Sequence, residues 1–458
     1  MCVKRFQRVD ATDYSLTINY LQKYVTEQFM DDQPDLALET TQSTTPLREL
    51  LIGSLLLVGL LLVFSPNYRW NVNKGESPFG SDFLQDWTAA SMIAAGEADG
   101  LYRASAFDTW QHDANLIGFS WNADSYYPAV YPPPYYWLCT PLHWIPYRWA
   151  VYLWLAMLLS GLVAAATIIE QGLRIEHAPA SAAWFWPAML LFPPLLLGLT
   201  MGQKGTFWLL ILAATWWLYR RKCPLVAGLV FGLLSIKPTL FFLLPLVMLR
   251  YGEWRFVAGA SLSWGALWGA AACMLPSSVW ADFLAVARSA GDYHAHSGYQ
   301  LVWSSNLQSL GGNLPSWLPN WASRCLLAVP ALYVLSCIML KAKFSLASPL
   351  DLCQVLVATC LLSPHFYAYD LVVLLLPICA MWHSQRRAAM GVLAAVWFGM
   401  LASRPCLDTI GLPLMPVVLL AALYWLSTVT PGQSSVRKGV SGSPAPSNIL
   451  QTGLSAQA

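Results

Sequence analysis

The stretch YRWAVYLWLAMLLSGLVAAATIIE, residues 147–170, decides the fold class of this chain. Between Arg148 and Glu170 it contains no charged side chain. A helix needs roughly twenty apolar residues to span a bilayer, and this run is long enough to do so. The stretch therefore predicts a transmembrane helix.

The composition extends this prediction to the whole chain. Of the 458 residues, 57% are hydrophobic and only 11% are charged, whereas soluble proteins carry about 25% charged residues. The 23 tryptophans fit many crossings, because Trp concentrates at bilayer interfaces. A net charge of +2 argues against nucleic acid as a partner. We expect an all-α polytopic membrane protein.

Apolar runs divide the chain into about twelve predicted crossings. They are 47–64, 147–170, 182–199, 205–219, 224–236, 238–250, 256–275, 321–340, 347–362, 369–382, 388–403 and 411–429. The pair 224–236 and 238–250 has the alternative of one re-entrant hairpin. Three domains follow: an N-terminal cytoplasmic segment 1–46, a transmembrane catalytic domain 47–429, and a Ser- and Gly-rich tail 430–458 that we expect to be disordered and cytoplasmic.

Basic residues predict the orientation, since cytoplasmic loops are enriched in Lys and Arg. With twelve crossings the basic clusters fall on one side: Lys4-Arg5, Arg220-Arg221-Lys222, Arg250 with Arg255, Lys341 with Lys343, Arg386-Arg387 and Arg437-Lys438. This predicts a multi-pass protein of the cell membrane with both termini cytoplasmic. Asp82, Asn313 and His365 are then extracytoplasmic, within or near long outer loops at 66–146 and 276–320.

The outer side collects the unusual polar motifs. These are SDFLQDW (81–87), TMGQKGT (200–206), SIKPT (235–239) and SPHFYAYD (363–370). Ionisable residues inside or beside membrane segments are costly and usually functional. We therefore expect the active site on the extracytoplasmic face.

Asp82 and Asp86 are the candidate catalytic residues. At i and i+4 of a helix they share a face, and two close carboxylates cannot both ionise freely. One of them could then hold a raised pKa suited to a general base. The alternative is structural, because Asp82 and Gln85 resemble a capping box that begins a helix at Phe83.

The other motifs supply candidate substrate-binding residues, each with a structural alternative. Gln203 and Lys204 could form a cradle, or lie in a plain glycine turn. Lys237 could bind an anion, or be a lysine that extends to the membrane surface; Pro238 predicts a helix break there. His365, Tyr369 and Asp370 complete the set.

No metal ligand and no certain cofactor are predicted. The stretch GDYHAHSGY (291–299) offers Asp292, His294 and His296 in an alternating pattern that can bind metal. Exposed loop histidines usually bind none, so a divalent metal is kept as an alternative only.

Five motifs occur together in an order that resembles glycosyltransferase family 87 of the GT-C superfamily. They are SDFLQDWTAASMIAAGEADGLY, YPPPYYWLCTPLHWIP, MGQKGTFWLLIL, PLVAGLVFGLLSIKPTLFFLLPLVML and LLSPHFYAYDLVVLLLP, and they span residues 81–377. The resemblance implies a GT-C fold and a hexosyltransferase, here a mannosyltransferase of the cell envelope that uses a polyprenol-phosphate sugar. The acceptor would be a lipid or glycan outside the cytoplasm.

The resemblance also assigns residues. Asp82 matches the acidic residue of the first outer loop, and Gln203 and Lys237 match the GQ and KP pairs, whereas Asp86 stands where many relatives have an aromatic residue. Alternatives are a secondary transporter, a lipid-linked sugar flippase, a glycan polymerase or ligase that uses a diphosphate-linked donor, and an inactive scaffold.

Overall fold

The computed structural model describes residues 59, 62, 65–68, 77–174, 190–296, 304–311 and 320–429, without the side chains of 289–296, 311, 320–326 and 383. The chain divides into two units, Met1–Leu51 and Ile52–Ala458, and the described residues belong to the second. The N-terminal segment, most of the predicted crossing 47–64, Asn313 and the tail 430–458 lie outside the described residues.

The described part of the chain is helical, apart from an isolated antiparallel bridge between Ser304 and Tyr367. The helices, numbered in chain order, are α1 Phe83–Ala94, α2 Ala104–His112, α3 Ala114–Ile117, α4 Pro133–Cys139, α5 Tyr147–Arg174, α6 Pro193–Thr200, α7 Gly205–Arg220, α8 Pro224–Gly232, α9 Pro238–Phe241, α10 Leu243–Arg250, α11 Trp254–Met274, α12 Ser277–His296, α13 Gln308–Gly311, α14 Asn320–Met339, α15 Pro349–Leu362, α16 Leu375–Ser384, α17 Arg386–Ile410 and α18 Leu414–Thr428. Short 3-10 helices lie at Pro66–Tyr68, Ala98–Gly100, Thr140–Trp144, Leu233–Ile236 and Ala368–Leu374.

Within the described ranges, three helices are long and apolar enough to span a membrane: Tyr147–Leu173, Trp254–Met274 and Arg386–Ile410. Shorter apolar helices lie at Pro224–Ile236, Pro238–Arg250, Leu327–Met339, Pro349–Leu362, Ala368–Trp382 and Leu414–Thr428. The expectation of an all-helical membrane protein is therefore confirmed. The count of twelve crossings stays a prediction.

The helix break predicted before Pro238 is present. Lys237 adopts φ −124° and ψ 80°, outside the helical region, and Pro238 begins α9 as its first residue. Proline suits that position because the first helical N–H has no partner within the helix. The break leaves the Lys237 side chain between two short apolar helical segments.

Both predicted outer loops contain helices. The first, 66–146, contains α1 to α4, and α12 occupies the start of the second. The segment SRPCLD (403–408), most of which lies between the predicted crossings 388–403 and 411–429, continues α17 through Pro405 to Ile410. The ion pair from Arg404 to Asp408, one turn apart at 2.9 Å, stabilises this extension, and Gly411 at φ 70° ends it.

Helices α8 and α11 approach each other closely through two glycines. A Cβ on Gly228 would lie 2.0 Å from the carbonyl oxygen of Phe256, and one on Gly259 would lie 2.2 Å from that of Leu225. Small residues at such a crossing let helix backbones pack closely in membranes, where the hydrophobic effect gives little help. This crossing holds α8, which leads to Lys237, against a long apolar helix.

Gly259→Ala is therefore expected to lower stability by about 1–3 kcal/mol, the usual cost of overpacking, because backbone atoms must move apart. Gly265→Ala on the same helix is the matched control, since no atom lies within 4 Å of its added methyl group. The thermal midpoint of the detergent-solubilised protein measures both. Equal midpoints would show that this crossing is not tightly packed.

Candidate active site

Asp82 lies in a tight turn that precedes α1. Gly80 and Ser81 both have positive φ, at 80° and 48°, and the second is uncommon for a residue with a side chain. The turn directs the Asp82 backbone N–H to the carbonyl oxygen of Met201 at 3.2 Å. The partly exposed Asp82 is thereby joined to the segment that contains Gln203.

Helix α1 begins at Phe83, as the structural alternative for Asp82 required, but the capping box of that alternative is absent. The Asp82 side chain makes no hydrogen bond to the first turn of α1. Its Oδ2 atom accepts a hydrogen bond from Gln203 Nε2 instead. A carboxylate that caps its own helix accepts hydrogen bonds from the first turn of that helix. The Asp82 carboxylate instead accepts from a residue that is distant in the sequence.

The loop between α6 and α7 fits closely against the Asp82 turn. Gly202 has φ 68°, and a Cβ there would lie 2.9 Å from the carbonyl oxygen of Gly80. Trp154 Nε1 donates to the Gly202 carbonyl at 2.8 Å, and Tyr68 donates from its hydroxyl to the Leu199 carbonyl at 2.5 Å. Glycine is needed here both for the backbone conformation and for the close approach.

Asp86 and Lys204 form a buried ion pair. Lys204 Nζ lies 2.9 Å from Asp86 Oδ2, and both side chains have no solvent exposure. Two tyrosines of the aromatic motif at 126–137 contact the ammonium group, with ring centroids at 4.4 Å for Tyr131 and 5.4 Å for Tyr135. These cation–π contacts replace part of the hydration that Lys204 lacks.

The adjacent residues Gln203 and Lys204 therefore hold the two acids of SDFLQDW, one each. Burial raises the pKa of Asp86 to about 6, while the Lys204 charge opposes the shift. Burial also raises the pKa of Asp82, and both the Lys204 charge and the Gln203 hydrogen bond oppose it. Neither acid belongs to one of the helices that, among the described residues, are long and apolar enough to span a membrane.

Lys237 and Asp370 form a second buried ion pair. The ring centroids of Trp208, Phe366 and Tyr369 lie 5.8–6.0 Å from Lys237 Nζ. Asp370 is fixed in turn, because its Oδ2 atom accepts from the backbone N–H of Tyr367 at 3.3 Å. Within the structure, the anionic partner of Lys237 is therefore the carboxylate of Asp370.

Tyr369 links the two ion pairs. Its backbone oxygen lies 3.5 Å from where a Cβ of Gly205 would be, and Gly205 directly follows Lys204. Its ring faces Lys237, as above. His365 is partly exposed and lies in the same segment, which is held by hydrogen bonds from Ser305 N to the Phe366 carbonyl at 2.8 Å and from Asn306 Nδ2 to the Pro364 carbonyl at 3.1 Å.

Four motifs that are distant in sequence thus meet in one cluster, as their predicted location on one face requires. The aromatic side chains that surround the two lysines are Tyr131, Tyr135, Trp208 and Phe366. The stretch YYPAVYPPPYYW (126–137) contains the first two and was a candidate for packing against isoprenoid or sugar, although an interfacial belt explains it equally well. Trp208 and Phe366 were not among the candidates.

Metal ligation has no support within the described ranges, where no three His, Cys, Asp or Glu residues come together. The side chains of Asp292, His294 and His296 lie outside the described part of the structure, so the alternative of a metal there stays untested.

These features define a helical membrane protein with a partly exposed carboxylate beside two buried lysine–carboxylate pairs, an arrangement suited to proton transfer next to an anionic group. A sequence model for glycosyltransferase family 87 matches residues 129–364, just over half of the chain. The chain belongs to this family and is a membrane glycosyltransferase. No curated protein and no solved structure matches it.

The matched range contains Gln203, Lys204 and Lys237, while Asp82, Asp86 and Asp370 lie outside it. The contacts described above connect the two sets, because each matched residue holds one of the three acids. Family membership also makes the transporter and flippase alternatives unnecessary.

Proposed function

We propose that the protein transfers a hexose from a polyprenol-phosphate donor to a hydroxyl of a lipid or glycan acceptor on the extracytoplasmic face. Mannose is the proposed sugar, from the resemblance of the five motifs to polyprenol-phosphate-mannose-dependent enzymes. The observation that carries the proposal is the hydrogen bond from Gln203 to Asp82. It fixes a carboxylate with a raised pKa at the junction of the family motifs.

Asp82 acts as the general base in this proposal. The acceptor oxygen attacks the anomeric carbon of the sugar, the bond from that carbon to the phosphate oxygen breaks, and Asp82 takes the hydroxyl proton. Gln203 binds Oδ2, so we assign Oδ1 as the proton acceptor. A single displacement of this kind inverts the configuration at the anomeric carbon.

Lys237 stabilises the leaving phosphate. The phosphate changes from a monoanionic diester to a monoester that carries one more negative charge. A fixed cation where charge develops lowers the barrier without reorganising during the reaction. Asp370 and the surrounding rings hold Lys237 in position. The isoprenoid chain would lie in the bilayer, next to the apolar helices on either side of Lys237.

Transfer from a labelled donor tests the function. Membranes that contain the protein are incubated with radiolabelled polyprenol-phosphate mannose, and the lipid and glycan fractions are separated. Label in either fraction is expected, and the rate of its appearance should be lower by about a hundredfold or more with the Asp82→Asn variant. Parallel reactions use polyprenol-phosphate glucose and a diphosphate-linked oligosaccharide. Transfer only from the diphosphate donor would indicate a polymerase or ligase instead.

The orientation gives a separate prediction. Single cysteines at positions 124, 222 and 386, all exposed in the structure, are placed in a cysteine-free background. An impermeant maleimide should label position 124 in intact cells, and positions 222 and 386 only after the cells are opened. The reverse pattern would put the acids on the cytoplasmic side and contradict the proposed location.

A further inference from the structure

Asp86 and Lys204 have no contact with solvent, although both were candidates for direct contact with the substrate. Each is completely buried, and the pair lies beneath Tyr131 and Tyr135. A buried charge is tolerated only when a partner compensates it. The pair therefore has a different relation to the reaction from that of the partly exposed Asp82.

We propose that Asp86 and Lys204 are positioning residues that fix the location and the charge state of Asp82. This inference rests on the proposed function, in which Asp82 is the base. Asp86 lies one helical turn after Asp82, and Lys204 directly follows the residue that binds Asp82. The buried Asp86–Lys204 contact therefore fixes a residue of the Asp82 segment to a residue of the Gln203 segment. It thereby constrains both partners of the Asp82–Gln203 hydrogen bond.

Several titratable groups face this pair and Asp82. Besides Lys204 and Asp82, Asp86 interacts with neutral phenols and a thiol: Tyr131, Tyr135, Tyr136, Tyr147 and Cys139. Burial raises the pKa of Tyr131, Tyr135, Tyr136 and Cys139. Asp82 in turn interacts with the phenols of Tyr68, Tyr131 and Tyr369. Lys204 thus acts on two carboxylates, and it lowers the pKa of each against the effect of burial. The two carboxylates in turn raise each other's pKa.

Each substitution should change the pKa of Asp82 in a defined direction. Lys204→Gln removes the positive charge, so the pKa of Asp82 should rise and the base should lose its proton only at higher pH. Asp86→Asn removes a negative neighbour and leaves the Lys204 charge to act on Asp82, so that pKa should fall. Asp86→Asn/Lys204→Gln removes both effects. If the pair only supports the fold, the pKa of Asp82 should shift in neither single variant.

The test is the pH dependence of kcat/KM for transfer in detergent, with the full-length protein. We expect the acid limb to move up by about one pH unit in Lys204→Gln and down by a similar amount in Asp86→Asn, the size of a nearby charge effect. The double variant should return close to wild type. Asp124→Asn and Lys343→Gln, both at exposed positions, are the matched controls and should shift nothing.

Shifts in the same direction, or lower rates with an unshifted limb, would overturn the inference while leaving the proposed function intact. Absence of transfer by the wild-type protein would instead overturn the proposed function. In that case, the role of the Asp86–Lys204 pair is tested by measuring the thermal midpoint as a function of pH. If Lys204→Gln does not fold, the direction of the Asp86→Asn shift decides the inference alone.

The pH dependence of stability should change in a defined direction in the Lys204→Gln variant. Without Lys204, the folded protein keeps carboxyl protons to a higher pH than the unfolded chain, whose Asp pKa is about 3.9. Stability should therefore fall more steeply than in wild type as pH rises from 5 to 8. Adding Asp86→Asn or Asp82→Asn to Lys204→Gln should reduce that slope. If stability depends on pH in Lys204→Gln as it does in wild type, the Lys204 charge does not act on the two carboxylates.

Discussion

Asp82→Asn is expected to lower the rate of sugar transfer by about a hundredfold or more, the usual scale for loss of a general base. The amide keeps the shape of the carboxylate and can still accept the hydrogen bond from Gln203. It cannot take a proton from the acceptor hydroxyl. The loss should appear in kcat, with little change in the affinity for the donor.

Two variants make this result specific. Asp124→Asn changes an exposed acid of the same outer segment and should leave the rate unchanged. Asp86→Asn should cost less than Asp82→Asn, because Asp86 is buried and paired with Lys204. Near-normal transfer by Asp82→Asn together with loss in Asp86→Asn would identify Asp86 as the base. Thermal midpoints close to wild type are required before the rates are compared.

Local features of the site could be predicted from the sequence because local rules determine them. Pro238 predicted the break at Lys237, since proline disfavours helix in the residue before it. The start of α1 at Phe83 was part of the capping-box alternative, and the helix begins there although the box itself does not form. The alternation of basic and polar loops predicted that the motifs lie on one face. The structure brings them together in one cluster, and the side of the membrane on which they lie stays a prediction.

The partners of the charged groups could not be predicted in the same way. Asp82 has a local capping option, yet it accepts from Gln203, which is 121 residues away. Lys237 meets Asp370 across 133 residues. Such choices depend on how the helices pack and on the close approach at Gly202, which brings a backbone against the Asp82 turn. A capping rule considers only residues close in sequence, so it cannot predict that a distant residue such as Gln203 binds Asp82 instead.

Apart from the start of α1, the helices of the two outer loops were not predicted. The segments 66–146 and 276–320 are too polar to be crossings, so the hydropathy pattern did not indicate helices there. They nevertheless form helices that pack against each other, as shown by the ion pair between Arg103 and Asp282 at 3.0 Å. The tyrosines around Lys204 belong to this packing, and their role depends on a cation that the linear pattern does not place beside them.

Lys237→Met is expected to lower the transfer rate by about a hundredfold, the scale of losing one group that stabilises transition-state charge. Donor binding should weaken less than the rate, because the phosphate gains charge as the sugar leaves. Stability should also fall, by about 3–5 kcal/mol, because Asp370 becomes an unpaired buried charge. The rate alone therefore cannot separate a role in catalysis from a role in folding.

The double variant Lys237→Met/Asp370→Leu separates them. It replaces the buried pair with apolar side chains, which is often neutral or stabilising. The thermal midpoint should recover while the rate stays low, because no cation remains for the phosphate. Recovery of both would show that Lys237 serves only to compensate Asp370.

A second lysine–aspartate pair provides the matched control. Lys341 pairs with Asp351 on the predicted cytoplasmic side, and both side chains are partly buried. Lys341→Met should lower the thermal midpoint but leave kcat within about twofold of wild type, since surface-accessible pairs contribute little beyond local stability. Lys237→Arg should retain part of the activity, because it keeps the charge but places a planar guanidinium where a compact ammonium fits. A loss of rate confined to the Lys237 variants, with the folded protein intact, is the result that assigns the donor phosphate to this lysine.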